Sequence, residues 1–236
     1  MNLIKSNIPN FLTCLNLLSG CVAVICTLSP QSCGASLLSW QAAGIAIACA
    51  AVFDFSDGFM ARMLGAYSDL GKQLDSLSDL VSFGVAPGVL MFSLLKTHSY
   101  STWLPWIALL IPVCAAIRLA RFNIDTRQTS SFIGMPVPAN AIFWIGYAAL
   151  INAGPSLLTN PAMAAAVVII ISWLMVSPIP MFSLKFKTYG WKNNETRWIF
   201  ICAAVILLVC FGIPALSIII LTYIFLSLIS RLLPRR

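Results

Sequence analysis

The chain has 236 residues, 60% hydrophobic and 9% charged, with a mean hydropathy of +0.93 and a formal net charge of +7. That is far too apolar for a soluble core under a polar skin, so an ordinary water-soluble domain is excluded. The positive balance fits basic loops at an anionic membrane surface and makes no case for nucleic-acid binding.

In chain order, the first apolar run follows Lys5, Asn7, Pro9 and Asn10. No small-residue cleavage site precedes a polar segment, so the first span is expected to stay in the mature protein. Pro9 and Asn10 read as a helix start. A helix crosses hydrocarbon in about 20 residues, and runs of that kind lie at roughly 11–29, 37–62, 74–95, 102–122, 137–153, 162–182, 197–211 and 213–231. They predict an all-α fold, a polytopic membrane bundle of about eight transmembrane helices. The count falls to seven if Gly212 and Pro214 merely kink one long C-terminal helix.

Positive charge sets the orientation. With eight spans, Lys5, Arg62, Lys72, Arg118, Arg121, Arg127, Lys185, Lys187, Lys192, Arg197, Arg231, Arg235 and Arg236 fall on one side and only Lys96 on the other. Basic loops stay in the cytoplasm. Both termini and the turn at Gly65 are therefore predicted to be cytoplasmic, in a cell (inner) membrane, with Lys96 and Asn160 outside. The eight cysteines, Cys14, Cys21, Cys26, Cys33, Cys49, Cys114, Cys202 and Cys210, make no Cys-x-x-Cys pair and read as small packing residues. His98, beside Lys96 in an external loop, reads as solvated.

The acids carry the chemistry. There are seven, and five lie between positions 54 and 79. Asp54, Asp57, Gly58 and Ala61 are spaced by three, four and seven, so two carboxylates share a helix face with two small residues. Asp75 and Asp79, four apart, share another face. Met63 to Leu70 holds Gly65, Ser68 and Asp69, a helix-to-helix turn in which Asp69 reads as a solvated acid with no role. Two adjacent helices thereby aim four carboxylates at one place, and Gly58 and Ala61 let a backbone or a substrate come close. A carboxylate near hydrocarbon is costly, and four repel one another unless cations neutralise them. All-oxygen ligation selects a hard ion, Mg2+ or Mn2+ rather than zinc. Four acids suffice for two divalent metal ions, and such pairs suit phosphoryl transfer. Arg62 is placed to pair with a phosphate.

Two other readings use the same residues. As intramembrane salt bridges to Arg62, Lys72 and the Arg118 to Arg127 group, the acids would need three or more partners, and the small residues would go unexplained. As the lining of a cation transporter they would be spread through the membrane, whereas they sit on two adjacent helices near one surface. No inverted copy of the segment appears in the second half.

The pattern Asp-x2-Asp-Gly-x2-Ala-Arg-x8-Gly-x3-Asp-x3-Asp, present without a gap from Asp54 to Asp79, resembles the signature of the CDP-alcohol phosphotransferases. The resemblance implies that Asp54, Asp57 and Asp75 ligate two divalent metals, with Asp79 as general base and further ligand. It also implies that Gly58, Arg62 and Gly71 approach the nucleotide diphosphate. Beyond the signature, Pro9 to Asn16, Ser78 to Pro87, Arg118 to Asn123 and Phe132 to Ala139 resemble one branch of that family, the membrane-type phosphatidylserine synthases. Sister branches usually put Arg near position 16, where this chain has Asn16, and Met135 stands where Leu is commoner. The likeness covers roughly residues 5–190, which makes 1–190 a catalytic membrane domain and 191–236 a C-terminal transmembrane hairpin with a basic tail.

The implied reaction transfers a phosphatidyl group from CDP-diacylglycerol to L-serine, giving phosphatidylserine and CMP, in a homodimer among membrane lipids. Asn10 and Thr13 are candidate cytidine or phosphate contacts. Arg118 and Arg121, three apart on one helical face, are either positive-inside anchors or the site of a lipid phosphate or the serine carboxylate. Gly134, Pro136 and Pro138 form a rigid loop, a plain turn or a headgroup selector. The same chemistry with another acceptor, glycerol phosphate or inositol phosphate, or with an archaeal-type lipid donor, is the alternative.

Overall fold

The computed structural model describes residues 3–29, 38–125, 132–153, 159–181, 190 and 194–232. Cys33, Arg127, Lys185, Lys187, Lys192, Arg235 and Arg236 lie outside these residues. Helix α1 (Leu3–Leu28) starts well before the expected position 11 and carries Pro9 in its interior. Pro9 therefore does not start the helix. Its ring costs one hydrogen bond, to the carbonyl four residues back, in the polar first turns.

Helix α2 (Ser39–Leu64) stops at Gly65, whose φ of 59° is the left-handed cap that glycine adopts without strain. Ser68 caps α3 (Asp69–Asp79) by accepting from the Gly71 backbone N–H at 2.9 Å. Asp69 belongs to the first turn of α3, where a carboxylate complements the helix dipole, and not to the preceding turn. A π-helical turn, Leu80–Val85, carries α3 into α4 (Ala86–His98), making one 30-residue helix. Lys96 and His98 are exposed in the last turn of α4 rather than in a loop. A 3-10 turn at Leu104–Leu109 leads into α5 (Leu110–Ile124).

Strand β1 (Phe132–Ile133) precedes α6 (Val137–Ala153) and pairs antiparallel with β2 (Pro180–Met181), Phe132 opposite Met181. Between α6 and β2, α7 (Pro161–Val176) ends six residues short of the expected 182. Pro178 disfavours helix at the residue before it, and Ser177 turns extended, with ψ 152°. Helices α8 (Glu195–Phe211) and α9 (Ala215–Leu232) meet at Gly212, φ 62°. The rings of Phe200 and Tyr223, 5.8 Å apart on opposite sides of that junction, require a hairpin. One long kinked helix is therefore ruled out.

Among the described residues the architecture is helical, with connecting turns and the two-residue strands. Four helices, Asn7–Leu28, Ser39–Leu64, Asp69–His98 and Leu104–Ile124, are long and apolar enough to cross a membrane. Val137–Ala153, Pro161–Val176, Arg197–Phe211 and Ala215–Ile229 are apolar and shorter. Helix α6 is buried nearly all round and touches α9 backbone to backbone. A Cβ on Gly146 would lie 2.4 Å from the Ser217 nitrogen, and Ser217 Oγ donates to the Phe143 carbonyl at 2.7 Å.

Polar contacts gather at one end of the bundle. Lys72 Nζ donates to the Asn123 carbonyl at 3.1 Å, and Asn123 Nδ2 to Ser76 Oγ at 2.8 Å, joining α3 to the end of α5. Arg121 donates to the Val176 carbonyl at 3.1 Å, and the Met135 N–H to the Leu174 carbonyl at 3.0 Å, adding the end of α7 and the start of α6. This end carries Arg62, Lys72, Arg118 and Arg121, while Lys96 lies at the far end of α4. At the far end of α1, Cys26 is disulfide-bonded, which corrects the reading of every cysteine as a packing residue.

If basic loops face the cytoplasm, single cysteines at positions 65 and 160, on a background without the native cysteines, should label from opposite sides in intact cells. Position 160 is expected to react with an impermeant maleimide added outside, and position 65 only after permeabilisation.

Candidate active site

The α2–α3 turn brings the two acidic faces together. One carboxylate oxygen from each of Asp54, Asp57 and Asp75 lies within 4.8 Å of the others. Asp79 adjoins Asp54 one layer deeper, and Asp57 and Asp79 are only 6% and 8% exposed. Arg118 is near enough to feel the charge of Asp79, and Asp54 and Asp79 lie side by side. Asp57 and Asp79 each receive a neutral donor. Thr13 Oγ1 lies 2.7 Å from Asp57 Oδ2 and 3.0 Å from the Pro9 carbonyl, and its single proton favours the charged acceptor. Asn16 Nδ2 donates to Asp79 Oδ1 at 3.2 Å.

Three carboxylates converging with no cationic side chain among them fit a hard divalent ion in both donor type and spacing. They stand on the wall of a cavity of about 260 Å³, whose lining includes Asn10, Thr13, Gly58, Ala61, Gly71 and Lys72. The two signature glycines do different things there. A Cβ on Gly71 would come within 2.9 Å of Asn10 Oδ1 and 3.0 Å of Ser68 Oγ, so its smallness serves the α1–α3 contact and the cap. A Cβ on Gly58 would meet nothing within 4 Å. Among the described residues nothing packs against Gly58, and the space above it is open. Arg62 is exposed and lies outside this lining.

A second, larger cavity, about 540 Å³, opens between the end of α5 and the loop after α7. Arg118, Arg121, Asp125, Met175 and Ser177 are among its walls. Arg118 is buried at 8% exposure, its guanidinium carbon 5.3 Å from the Phe122 ring centre, and it feels the charge of Asp79, with Tyr223 nearby. Gly134, at φ 76°, is pressed against the end of α7, where a Cβ would collide with the Met175 carbonyl, and its N–H donates to Ile179 at 2.8 Å. The Phe132 to Ala139 loop thus buttresses the wall of this cavity. Sequence reasoning did not assign Asn16, Ser82, Asn140 or Tyr223 to the site. The available signal was a polar side chain inside an apolar span.

Removing one carboxylate charge should weaken the ion without unfolding the bundle. Asp75→Asn is expected to raise the Kd for Mn2+, followed by electron paramagnetic resonance of the protein in detergent, by about tenfold or more. An unchanged affinity would remove Asp75 from the ion's ligands.

The family model described as CDP-alcohol phosphatidyltransferase matches residues 6–209. The chain is 36% identical over 208 residues to the CDP-diacylglycerol–serine O-phosphatidyltransferase of Methanocaldococcus jannaschii, covering 88% of this chain and 85% of that protein. It is 39% identical over 150 residues to the protein of the same name from Bacillus subtilis, covering 61% and 76%. To the archaetidylserine synthase of Methanothermobacter thermautotrophicus it is 36% identical over 137 residues, 57% of this chain and about half (54%) of that relative. Since the match runs through the gathered carboxylates and most of the helices around them, the chain belongs to the CDP-alcohol phosphatidyltransferase family, a metal-dependent family of transferases.

Proposed function

We propose that this integral membrane protein transfers the phosphatidyl group of CDP-diacylglycerol to L-serine, forming phosphatidylserine and CMP. The observation that carries the reading is the meeting of Asp54, Asp57 and Asp75 within 4.8 Å on a cavity wall, with Asp79 alongside. Asp54, Asp57 and Asp75 would hold two ions, Mg2+ or Mn2+, with Asp79 as a further ligand. Bound ions would neutralise the diphosphate and the departing CMP. Asn10, Thr13, Gly58 and Gly71 line the space that the nucleotide would occupy, and Arg62 stands one residue beyond it.

Asp79 takes the proton of the serine hydroxyl as that oxygen forms a bond to the phosphatidyl phosphorus. The bond from this phosphorus to the CMP oxygen breaks, and CMP carries away the electron pair. The cavity between Arg118 and Arg121 is read as the acceptor site, where a planar guanidinium fork matches the serine carboxylate. In this reading residues 1–190 are the catalytic domain and 191–236 the C-terminal hairpin and tail. The carboxylate end faces the cytoplasm of a cell (inner) membrane. Its basic residues support this, and so does the Cys26 disulfide at the opposite end, since disulfides belong to oxidising compartments. The homodimer rests on the family resemblance. An archaeal-type donor stands as the second reading, because the relative from Methanothermobacter is named an archaetidylserine synthase.

The direct test is an acceptor screen with purified protein, CDP-diacylglycerol or its ether-lipid analogue, and Mn2+, with the lipid product identified by mass. Serine is expected to release CMP, and EDTA to abolish release. Release with glycerol phosphate or inositol phosphate instead would overturn the acceptor assignment.

Arg121→Lys keeps the charge but loses the fork. It should raise the serine KM about tenfold and leave the CDP-diacylglycerol KM within a factor of two or so, with Arg118→Lys the next candidate. If only the lipid donor weakens, these arginines belong to the phosphate site.

A further inference from the structure

Directly after Asp79 the helix widens into the π turn Leu80–Val85, a local distortion that must be held from outside because it gives up regular helical hydrogen bonds. Three neighbours hold it. From α1, Gly20 comes so close that a Cβ there would lie 2.4 Å from Ser82 Oγ and 2.7 Å from Ser82 Cα. Ser82 Oγ donates in turn to the Asn16 carbonyl at 2.9 Å. From α6, Asn140 Nδ2 donates to the Phe83 carbonyl at 3.0 Å and is itself fixed by Trp144 Nε1, which donates to Asn140 Oδ1 at 2.8 Å. From α5, Ala115 and Pro112 close on Gly84, a Cβ there falling 3.0 Å from the Ala115 Cβ.

Asn16 therefore touches this unit twice. Its backbone carbonyl accepts from the π turn, and its side chain donates to Asp79 Oδ1. Asn16, Ser82 and Asn140 are all fully buried. Asn16 Oδ1 is buried without a hydrogen-bond partner, so the amide is not there to satisfy itself. A leucine of similar size would pack in its place without leaving an orphaned oxygen. An unsatisfied buried polar group calls for a functional account, and the donor to Asp79 is what the amide supplies.

We propose that Asn16 is the positioning residue of the reaction: with Ser82 and Asn140 locking the π turn, its amide holds Asp79 Oδ1 and so fixes the rotamer of this carboxylate beside Asp54. The inference rests on the role of Asp79 in the reading above. Asn16 does not touch substrate and acts only through Asp79, as supporting partners of reactive carboxylates do.

The test is Asn16→Leu in the full-length protein, read as CMP release with serine. The kcat is expected to fall about 10–100-fold, while the KM values for CDP-diacylglycerol and serine and the Tm in detergent stay within about threefold or a few degrees of wild type. Ser82→Ala should show a smaller loss of the same kind, and the double variant should lose little more than Asn16→Leu alone, because both act on one group. If Asn16→Leu does not fold, the same kcat-against-KM split is read in Asn16→Ser, which keeps a small polar side chain but cannot reach Asp79. An unchanged kcat, or a kcat loss matched by a rise in both KM values or by a loss of Tm, overturns the positioning role. Wild-type protein that releases no CMP with any acceptor overturns the functional reading, and this inference with it.

Discussion

The mutual repulsion of Asp54, Asp57, Asp75 and Asp79 is the constraint that the rest of the structure answers. In an apolar bundle such a cluster persists only if something neutralises it. A protein that needed the acids for stability would pair them with Arg or Lys, and cationic candidates stand nearby. Lys72 bonds the Asn123 carbonyl instead, and Arg121 bonds the Val176 carbonyl. Asp57 and Asp79 receive neutral donors, Thr13 and Asn16. Neutral donors orient a carboxylate without cancelling its charge, so the cluster keeps its attraction for a divalent cation. The cost of that choice is borne by the packed helices around it.

Many of the polar contacts among the described residues lie around that cluster. The starts of α1, α3 and α6 and the ends of α2, α5 and α7 are linked there by side-chain and backbone hydrogen bonds, while α6 and α9 are joined by close backbone contact, apolar packing and the Ser217 hydrogen bond to the Phe143 carbonyl. Rigid positioning is the consequence. The acids on α2 are set by a glycine-capped turn and those on α3 by the Ser68 cap. Asp79 is set by the π turn that follows it, so each element places its own carboxylates.

Much of this was legible in the sequence because the signals were periodic. The spacing of Asp54, Asp57, Gly58 and Ala61, and of Asp75 and Asp79, placed the acids on two facing surfaces, and Gly65 and Ser68 marked the turn. The helices fell where the apolar runs lay. The misses were local overrides. Pro9 sits inside α1 at the cost of one backbone hydrogen bond, and α7 stops early because Pro178 constrains Ser177. Strands of two residues have no period to read, so the pairing of Phe132–Ile133 with Pro180–Met181 had no signature. The π turn is likewise invisible in a run of apolar residues. Spacing also could not separate the glycines: only the coordinates distinguish Gly71, which packs, from Gly58, which faces open space.

The two cavities differ in sign, and that difference orders the proposed chemistry. One has three carboxylates and Lys72 on its wall, the other two arginines and Asp125, and Arg118 of the second is near enough to feel Asp79. Serine is a zwitterion of no net charge, so the arginines would orient it by its carboxylate rather than draw it in by charge. A diphosphate is repelled by the bare acids, and would enter their cavity only with cations in place.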